Sequence, residues 1–465
     1  MTSTIGRRGF LGSAIAASLL RPFRAFGATP GYPRLMEGPM VGAVTPGSIT
    51  FWGRASGEYD VVVEYSPDLD FGVTQASAPV RALAAADYTV RVTVADLAPG
   101  TRYYYRMLVD GIPDRYRLTP FATHTAPDGP VAFRLAFGSC ARHQLDAEQV
   151  VFRAIAAAEP DLFFWLGDNI YADSASEWVF AEDYRRQRAI ASTLPLMRSV
   201  PQLAIWDDHD FGLNNSDNTN PVRDASLAAF RNYWANPGYG LADGPGVYFQ
   251  YAYGGVDFFM LDGRYYRTPN KDPDSPAKTL LGKRQGEWLR EVLRASRAPF
   301  KVLASGSGWT TEDGPMGDTW AAFLTERNAL FDFIRDERIE GVFLLSGDTH
   351  FGEVNAIPWS EHGGYDLYDL VSSPLAQATG SSFLEGEPEL RIRKPYFRTV
   401  NFGLLDFSWD PEPKVTYTLR DVRGDRVYEP LTLTPAELRN GASTWRAKMD
   451  PAELARREAG ASPST

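Results

Sequence analysis

Six apolar runs in the second part of the chain end abruptly in polar residues, and this pattern limits the possible folds more than any other feature. The pairs of run and polar ending are FRLAF before GSC (138–140), LFFWL before GDN (167–169), LAIW before DDHD (207–210), FFML before DGR (262–264), VLA before SGS (305–307) and VFLL before SGDTH (346–350). Near-continuous apolar runs of this kind are typical of strands buried on both faces. Helix-like stretches at 147–158, 282–295 and 325–338 separate several of them. The alternation predicts an α/β layered domain, whose ligands bind beyond the carboxyl ends of the strands.

The region from residue 33 to residue 125 has a different pattern, typical of an all-β domain. DVVVEYS (60–66) and YTVRVTV (88–94) are strand-like runs rich in Val, Tyr and Thr. LAPGTRYYYRM (97–107) resembles the turn and strand of a fibronectin-III-like sandwich, with a tyrosine near the corner. We interpret this region as a rigid cover or spacer, because it contains no cluster of ligand residues.

The remaining boundaries follow from composition. HTAPDGP (124–130) is a linker, and the α/β domain is predicted to occupy residues 131–433. Residues 434–465 are polar and charged, which predicts a C-terminal helix and tail.

The N-terminal segment predicts export. IGRRGFLGSAIAASLLRPFRAFGA places paired arginines ahead of Phe10, Leu11 and a short apolar run, an order that resembles a twin-arginine signal. The run is too short for a membrane-spanning helix, which needs about 20 residues. We therefore expect residues 1–28 to be a signal peptide read by the twin-arginine machinery. The mature chain should be periplasmic or secreted, without a transmembrane segment.

The net charge of −11 argues against a nucleic acid bound through a basic face. A phosphate substrate stays compatible with this charge, because a metal ion or a local arginine can supply positive charge. The single cysteine, Cys140, cannot form an internal disulfide. Its remaining possible roles are an intermolecular disulfide, a free thiol or a metal ligand.

The polar residues at the strand ends point to metal chemistry. His209 and His350 each lie beside aspartates, and buried carboxylates in this number need cations. Asp168 follows a glycine and could bridge two metal ions that stabilise an in-line phosphoryl transfer. Oxygen-rich ligation suits calcium, whereas the thiolate of Cys140 indicates a softer or higher-valent ion at one position.

Further residues at the same predicted edge are candidates for substrate contact. Arg264 follows a strand, and its planar guanidinium could bind phosphate through two hydrogen bonds. Asn215 and Trp309 are plausible edge residues. The remaining histidines lie in loops without acidic neighbours at ligand spacing, and we expect them to be solvated: His124, His143 and His362.

The motifs GDNIY, WDDHD, LDGRYYR and SGDTHFGE, in this order, resemble the alkaline phosphatase D (PhoD-like) family of calcineurin-type metallophosphoesterases. LGKRQGEWL (281–289), DTWAAFLTER (318–327) and YDLVSSPL (368–375) extend the resemblance over most of the chain. It implies an α/β metallophosphoesterase fold of two packed mixed β-sheets flanked by helices. It also implies a binuclear or larger mixed-metal site with Fe3+ and Ca2+.

The resemblance also implies roles for individual residues. Cys140 and Tyr171 would bind iron as a thiolate and a phenolate, and Asp168 would bridge the metals. His209 would face the substrate, either holding a phosphate oxygen or protonating the leaving alcohol. The other implied metal ligands, whose division between the ions stays open, are Asp208, Asp348 and His350. The supporting residues are Asn169, Asp210, which could orient the imidazole, and Asp207, which is either a second-layer partner or a further calcium ligand.

The resulting hypothesis is an exported metal-dependent phosphoesterase that hydrolyses small phosphate monoesters or diesters with metal-activated water or hydroxide. A phospholipase-D-like hydrolysis of phospholipid headgroups is the alternative. A metal- or phosphate-binding protein without turnover is a third reading, which the presence of every expected ligand disfavours. A cysteine nucleophile is excluded, because the Cys-x5-Arg loop of tyrosine phosphatases would require arginine where Asp146 stands.

Overall fold

The computed structural model describes residues 32–113, 120–380, 386 and 388–459. The predicted signal peptide and the end of the predicted C-terminal tail lie outside these residues. In the described part of the chain, no helix combines the length and the apolar character needed to cross a membrane.

The N-terminal part is an all-β domain of two antiparallel sheets. Its strands are β1 (Leu35–Thr45), β2 (Ser48–Ala55), β3 (Asp60–Ser66), β4 (Gln75–Ala76), β5 (Val80–Arg81), β6 (Thr89–Val94), β7 (Arg102–Val109), β8 (Ile112–Pro113) and β9 (Phe121–His124). One sheet has the order β1-β2-β6 and the other β4-β3-β7-β8, with β5 paired to β3 and β9 paired to β7. Buried and more exposed side chains alternate along β3 and β7, as expected for strands with one face on a core.

Two larger mixed sheets follow. Their strands are β10 (Phe133–Gly138), β11 (Leu162–Leu166), β12 (Gln202–Ile205), β15 (Phe249–Tyr253), β16 (Val256–Met260), β17 (Phe300–Ala304), β18 (Val342–Ser346), β19 (Glu353–Ile357), β20 (Leu367–Val371), β21 (Leu390–Arg391), β22 (Asn401–Ser408), β23 (Lys414–Asp421) and β24 (Leu431–Leu433). The sheet orders are β12-β11-β10-β22-β23-β24 and β15-β16-β17-β18-β20-β19-β21, and β13 (Gly240–Leu241) pairs with β14 (Gly244–Pro245). Strands β10 to β12 are parallel, and so are β16, β17, β18 and β20.

The helices connect and flank the sheets. They are α1 (Val151–Ala157), α2 (Glu177–Arg188), α3 (Leu194–Ser199), α4 (Asp208–Phe211), α5 (Arg223–Tyr233), α6 (Gly282–Ala295), α7 (Leu324–Asp336), α8 (Trp445–Lys448) and α9 (Pro451–Glu458). The helix predicted over 282–295 has the predicted bounds. The one predicted over 147–158 is shorter, because its first four residues form a turn in which Asp146 accepts hydrogen bonds from the backbone of Glu148 and Gln149.

Aromatic side chains fill the space between the two large sheets. Phe258 on β16 contacts Phe164 on β11 and Phe407 on β22, with ring centroids 5.0 and 6.3 Å apart. Every residue of β11, β17 and β18 is buried. This two-sided burial explains why these strands are continuous apolar runs, and it confirms the layered α/β arrangement expected from them.

The N-terminal domain packs closely on the larger domain. A Cβ atom on Gly42 would lie 2.3 Å from the Cβ of Ala235, so only glycine allows this approach. The backbone N–H of Ala43 donates to the carbonyl of Ala235 at 2.8 Å, and the indole of Trp52 donates to the carbonyl of Asn232 at 2.7 Å. The domain therefore supports the larger one directly and is more than a spacer.

An ion-pair cluster reinforces this interface. Asp87 accepts two hydrogen bonds of 2.7 Å from Arg185 on α2, and it also accepts from Arg54 and from the Tyr233 hydroxyl. Burial alone would raise the pKa of Asp87, but the hydrogen bonds from Arg185, Tyr233 and Arg54 bring it below its ordinary value of 3.8. The carboxylate therefore stabilises the folded protein in its ionised form.

We expect Asp87→Asn to lower the free energy of unfolding by about 2 kcal/mol at neutral pH, because it weakens charge-assisted hydrogen bonds. The stabilisation should be complete above the ordinary pKa of 3.8 and should be lost as the pH falls through the lower pKa of the folded state. Denaturant unfolding between pH 7 and pH 2.5 measures this. Asp60→Asn, at an exposed pair with Arg81, is the control. An equal loss of stability in both variants would contradict the prediction.

Candidate metal and phosphate site

The site lies at the carboxyl ends of four buried strands. Cys140 follows β10, Asp168 follows β11, Asp208 follows β12 and Asp348 follows β18. Backbone hydrogen bonds join the segments, since Cys140 and Ala141 donate to the carbonyls of Gly167 and Asp168 at 3.2 and 2.9 Å. The strand ends that the sequence pattern places together are therefore neighbours in the structure.

Cys140, Asp168 and His350 form the first group of possible metal ligands, with one ligand atom from each within 4.8 Å of the others. The Cys140 thiol lies 3.4 Å from Oδ2 of Asp168. The Tyr171 hydroxyl lies 3.2 Å from the same oxygen and 3.3 Å from Nε2 of His350. A thiol, a carboxylate, a phenol and an imidazole thus converge on one small volume.

Asp168, Asp208 and His209 form a second such group, also within 4.8 Å. Asp168 belongs to both groups, so one carboxylate can serve two cations. Asp348 faces the same acidic cluster. Its Oδ2 atom is buried and has no hydrogen-bond partner among the described residues, and the same is true of Oδ1 of Asp168.

The electrostatics of the site require positive charge. Burial raises the pKa of Cys140, Asp168 and Tyr171 well above their ordinary values, and neighbouring acidic groups raise them further. Burial likewise raises the pKa of Asp348, with repulsion from Asp207 and Asp208 adding to it. Buried oxygens without partners and mutually repelling acids cost free energy unless cations neutralise them. The donor set therefore fits a site for two cations.

Left-handed backbone conformations concentrate here. The φ angles are +60° at Cys140, +50° at Asp168, +70° at Asp348 and +60° at His350, and no glycine is involved. Such conformations cost of order 1–3 kcal/mol each and are held only where the surroundings enforce them. This clustering of strain supports a functional role for the site.

His209 contacts two other site residues. Its ring centroid lies 4.1 Å from that of Tyr171, and its Nδ1 atom forms a short hydrogen bond with Asp173. Burial lowers the pKa of His209, but Asp168, Asp173 and Asp208 together raise it to about 10. The three carboxylates therefore favour the protonated form of the imidazole.

The expected role of Asp210 is corrected by this geometry, because Asp173 and not Asp210 holds the imidazole. Oδ2 of Asp210 accepts from the backbone N–H of Asn169 at 3.1 Å and from that of Asp207 at 3.2 Å. The Tyr184 hydroxyl on α2 donates to its other oxygen at 3.2 Å. Asp210 therefore connects the segment after β12 to the segment after β11 through hydrogen bonds. Asn169 assists it, since its side chain also donates to this carboxylate.

The predicted role of Arg264 as a phosphate ligand is also corrected. Its side chain is 0% exposed and lies among carboxylates. Its guanidinium donates to Asp207 through a short hydrogen bond and to Asp318 at 2.5 and 3.1 Å. Nη2 lies 3.6 Å from Oδ1 of Asp208. A guanidinium enclosed in this way has no face free for phosphate, so Arg264 supports Asp208 from behind. Asp207 is accordingly a partner of Arg264.

Other candidates are distributed around the site. Asn215 is exposed, and its backbone N–H donates to Oδ2 of Asp208 at 2.7 Å. Trp309 is fully buried against Trp320, so it does not line the open edge. His143 was expected to be solvated, but its side chain is only 9% exposed and lies 3.5 Å from Asp183. His124 and His362 are exposed, as expected.

Two site residues were missed from the sequence. Asp173 lies two residues after the GDNIY motif and five after Asp168, but its contact with His209 depends on the loop conformation. Ser373 donates to the Cys140 sulfur at 3.2 Å and accepts from the backbone N–H of His350 at 3.1 Å. It lies in the YDLVSSPL motif, which contributed to the family resemblance but whose residues had no predicted role in the site.

Comparison with known proteins decides the family. The model of the PhoD-like phosphatase family matches residues 135–393, more than half of the chain, and the model of its N-terminal domain matches residues 22–125. The chain belongs to the PhoD-like phosphatase family. Membership confirms the resemblance seen in the motifs. The family and its fold imply a metal-dependent site, which agrees with the two ligand groups.

A curated relative is the alkaline phosphatase D of Bacillus subtilis (strain 168). It is 28% identical over 355 residues, which span 64% of this chain and 58% of the relative. The match thus covers less than two thirds of that protein.

Solved structures agree on the fold. A structure of PhoD has a TM-score of 0.69 and 20% identity, covering 92% of this chain and 97% of that chain. A purple acid phosphatase from yellow lupin seeds has a TM-score of 0.64 and 13% identity, covering 94% and 78%. These similarities confirm the layered mixed-sheet fold with an N-terminal all-β domain.

Proposed function

We propose that the protein is a metal-dependent phosphoesterase that hydrolyses small phosphate monoesters, diesters or both. The observation that carries this proposal is the position of Asp168, whose carboxylate belongs to both ligand groups. A carboxylate shared in this way is typical of sites that hold two cations a few ångströms apart. When bound, such cations stabilise the charge on phosphoryl oxygens and activate a water molecule for attack.

Fe3+ and Ca2+ are the proposed cations. The first group contains the thiol of Cys140 and the imidazole of His350, and the phenol of Tyr171 lies beside them, so the set is mixed and suits a softer or higher-valent ion. Asp208 and Asp348 supply oxygen ligands, which suit calcium. Asp168 serves both.

His209 is the proposed substrate-facing residue. Asp173 fixes its Nδ1 atom, so Nε2 is free to donate a hydrogen bond to a phosphate oxygen or a proton to the leaving alcohol. The exposed Asn215, anchored to Asp208, is the proposed further substrate contact. Asn169, Asp207, Asp210 and Arg264 are proposed to hold the ligand-bearing loops in place.

A phospholipase-D-like hydrolysis is the second candidate. The observation in its favour is a set of exposed apolar side chains close in sequence to site residues: Trp178 in the first turn of α2, and Leu213 and Met316 in loops, are 78, 54 and 67% exposed. Leu213 precedes Asn215 by two residues, and Trp178 follows Asp173 by five. Exposed apolar side chains near an active site are typical of enzymes that bind membranes.

We also propose that residues 1–28 direct export by the twin-arginine route to the periplasm or the medium. The domains are proposed to span residues 33–125 and 131–433, with a C-terminal helix and tail at 434–465. The N-terminal domain is proposed to be fibronectin-III-like. In support, the Tyr103 hydroxyl accepts a hydrogen bond from the backbone N–H of Ala98 at 3.0 Å, as in a tyrosine corner.

An assay of three esters tests the proposed activity. Protein folded with iron and calcium is given p-nitrophenyl phosphate, bis-p-nitrophenyl phosphate and phosphatidylcholine vesicles, with and without chelator. We expect turnover of the soluble esters, loss of turnover with chelator and recovery when both metals return. A strong preference for phosphatidylcholine would favour the second candidate. Bound metals without turnover of any ester would overturn the proposal.

A further inference from the structure

Arg142 lies beside the first ligand group, and the proposed function gives it no role. It follows Cys140 by two residues, and its backbone N–H donates to the carbonyl of Ala376 at 2.9 Å. Its guanidinium carbon lies 5.2 Å from the centre of the Tyr171 ring. The side chain is thus held next to the residue whose hydroxyl contacts both Asp168 and His350.

The guanidinium of Arg142 lacks the partners that other arginines in this region have. Among the described residues, no carboxylate lies within ion-pair distance of it, and its buried Nε atom has no hydrogen-bond partner. Arg264 and Arg267, by contrast, are paired with Asp318. Arg142 is half-buried, not enclosed. A positive charge beside a strongly acidic cluster has therefore been left without a neutralising anion.

The charge of Arg142 acts on the space where the ligand groups meet. The Arg142 guanidinium carbon lies 5.2 Å and the His209 ring centroid 4.1 Å from the centre of the Tyr171 ring, and Nε2 of His350 lies 3.3 Å from the Tyr171 hydroxyl. Arg142, His209 and His350 thus surround Tyr171 and share one electrostatic environment. An anion that enters this space would be attracted by the Arg142 guanidinium, which forms no ion pair with a carboxylate of the described residues.

We propose that Arg142 binds a non-bridging oxygen of the phosphate group of the substrate. This inference rests on the proposed phosphoesterase function and supplies the phosphate-binding arginine that the buried Arg264 cannot be. A guanidinium donates two parallel hydrogen bonds to a phosphate, and such charge-assisted bonds are among the strongest in proteins. The cation–π contact with Tyr171 holds the guanidinium beside the ligand residues before substrate arrives, which reduces the entropy lost on binding.

A purely structural role predicts different behaviour. If Arg142 only packs on Tyr171, its replacement disturbs Tyr171 and hence the metals, while phosphate affinity per loaded site stays the same. If Arg142 binds phosphate, metal content stays the same and phosphate affinity falls. The two roles are separated by measuring inorganic phosphate binding and metal content on the same samples.

The test uses the full metal-loaded protein, with Arg142→Gln, Arg142→Lys and the control Arg153→Gln. Arg153 is exposed on α1, and its replacement changes the net charge equally. Titration calorimetry with inorganic phosphate should show a dissociation constant about 10- to 100-fold higher in Arg142→Gln, because one charge-assisted contact is lost. Arg142→Lys should show a smaller rise in the dissociation constant, because lysine keeps the positive charge but lacks the planar guanidinium that donates two parallel hydrogen bonds. The control should match the wild type.

Four outcomes decide the proposal. Restored phosphate affinity when guanidinium ions are added to Arg142→Gln would support it. Unchanged phosphate affinity in both Arg142 variants would overturn the proposal, and so would loss of metal from these variants. In either case the proposed phosphoesterase function would still stand if the wild type hydrolyses the esters. Arg142-dependent phosphate binding in a wild type that hydrolyses no ester would support the anion site and overturn the proposed function.

Discussion

Replacing Asp168 by Asn is expected to abolish metal binding at both ligand groups and to lower kcat by roughly 10³-fold or more. The reason is that Asp168 contributes to both groups, so no cation keeps its full set of ligands in its absence. Loss of bound cations removes several kcal/mol of transition-state stabilisation, which corresponds to a rate loss of about this size. Metal analysis of the purified variant and turnover of p-nitrophenyl phosphate measure the two effects.

The same substitution should have the opposite effect on the stability of the metal-free protein. Burial raises the pKa of Asp168 well above its ordinary value; the positive charge of His209 opposes this rise, whereas Asp208, Asp207 and Asp210 add to it by repulsion. A neutral amide of the same shape avoids this cost at neutral pH. Without metal, Asp168→Asn should therefore unfold at a higher temperature than the wild type. With metal, the order should reverse, because only the wild type gains stability from the bound ions.

Asp128→Asn, in the exposed linker, is the matched control and should change neither metal content nor stability. A variant of Asp168 that keeps both metals and full turnover would remove the central argument for a shared carboxylate. A variant that is less stable than the wild type in the absence of metal would show that the acidic cluster is already neutralised by the protein itself.

The parts of the site that were predicted from sequence are those set by local pattern. The apolar runs are buried strands, their polar endings meet at one edge, and Cys140, Asp168 and His350 come together as a ligand group. These features depend on strand burial and on the parallel order of neighbouring strands, both of which leave a clear periodic signal. The individual roles of the ligands stay predictions.

The parts that were not predicted depend on contacts between residues far apart in sequence. Asp318 lies 54 residues from Arg264, and their ion pair turns an expected phosphate ligand into a buried support. Asp173 replaces Asp210 as the partner of His209 because the loop after Asp168 lies against α4, where the backbone N–H of Ala172 donates to the carbonyl of His209 at 3.2 Å. Charge and spacing alone cannot distinguish a guanidinium that faces substrate from one that faces carboxylates, since both require the same residue types.

Arg264→Gln is expected to lower the free energy of unfolding by about 3–5 kcal/mol, because it leaves a cluster of buried carboxylates without its cation. The partners are Asp207, Asp208 and Asp318, and the guanidinium is fully buried among them. Burial would lower the pKa of Arg264, but these carboxylates raise it well above its ordinary value, so the arginine is charged throughout the accessible pH range. Denaturant unfolding of the metal-free protein measures the loss.

Arg284→Gln provides the matched control, because Arg284 forms comparable ion pairs with Asp243 and Glu287 on the open surface. Solvent screens these pairs, so the control should leave the free energy of unfolding almost unchanged. The double variant Arg264→Gln with Asp318→Asn should recover part of the loss, since one unpaired carboxylate is removed. A stable Arg264→Gln variant with a raised KM would instead mean that the guanidinium turns toward the phosphate. In that case Arg142 and Arg264 would share the anion, and the calorimetric change in Arg142→Gln would be correspondingly smaller.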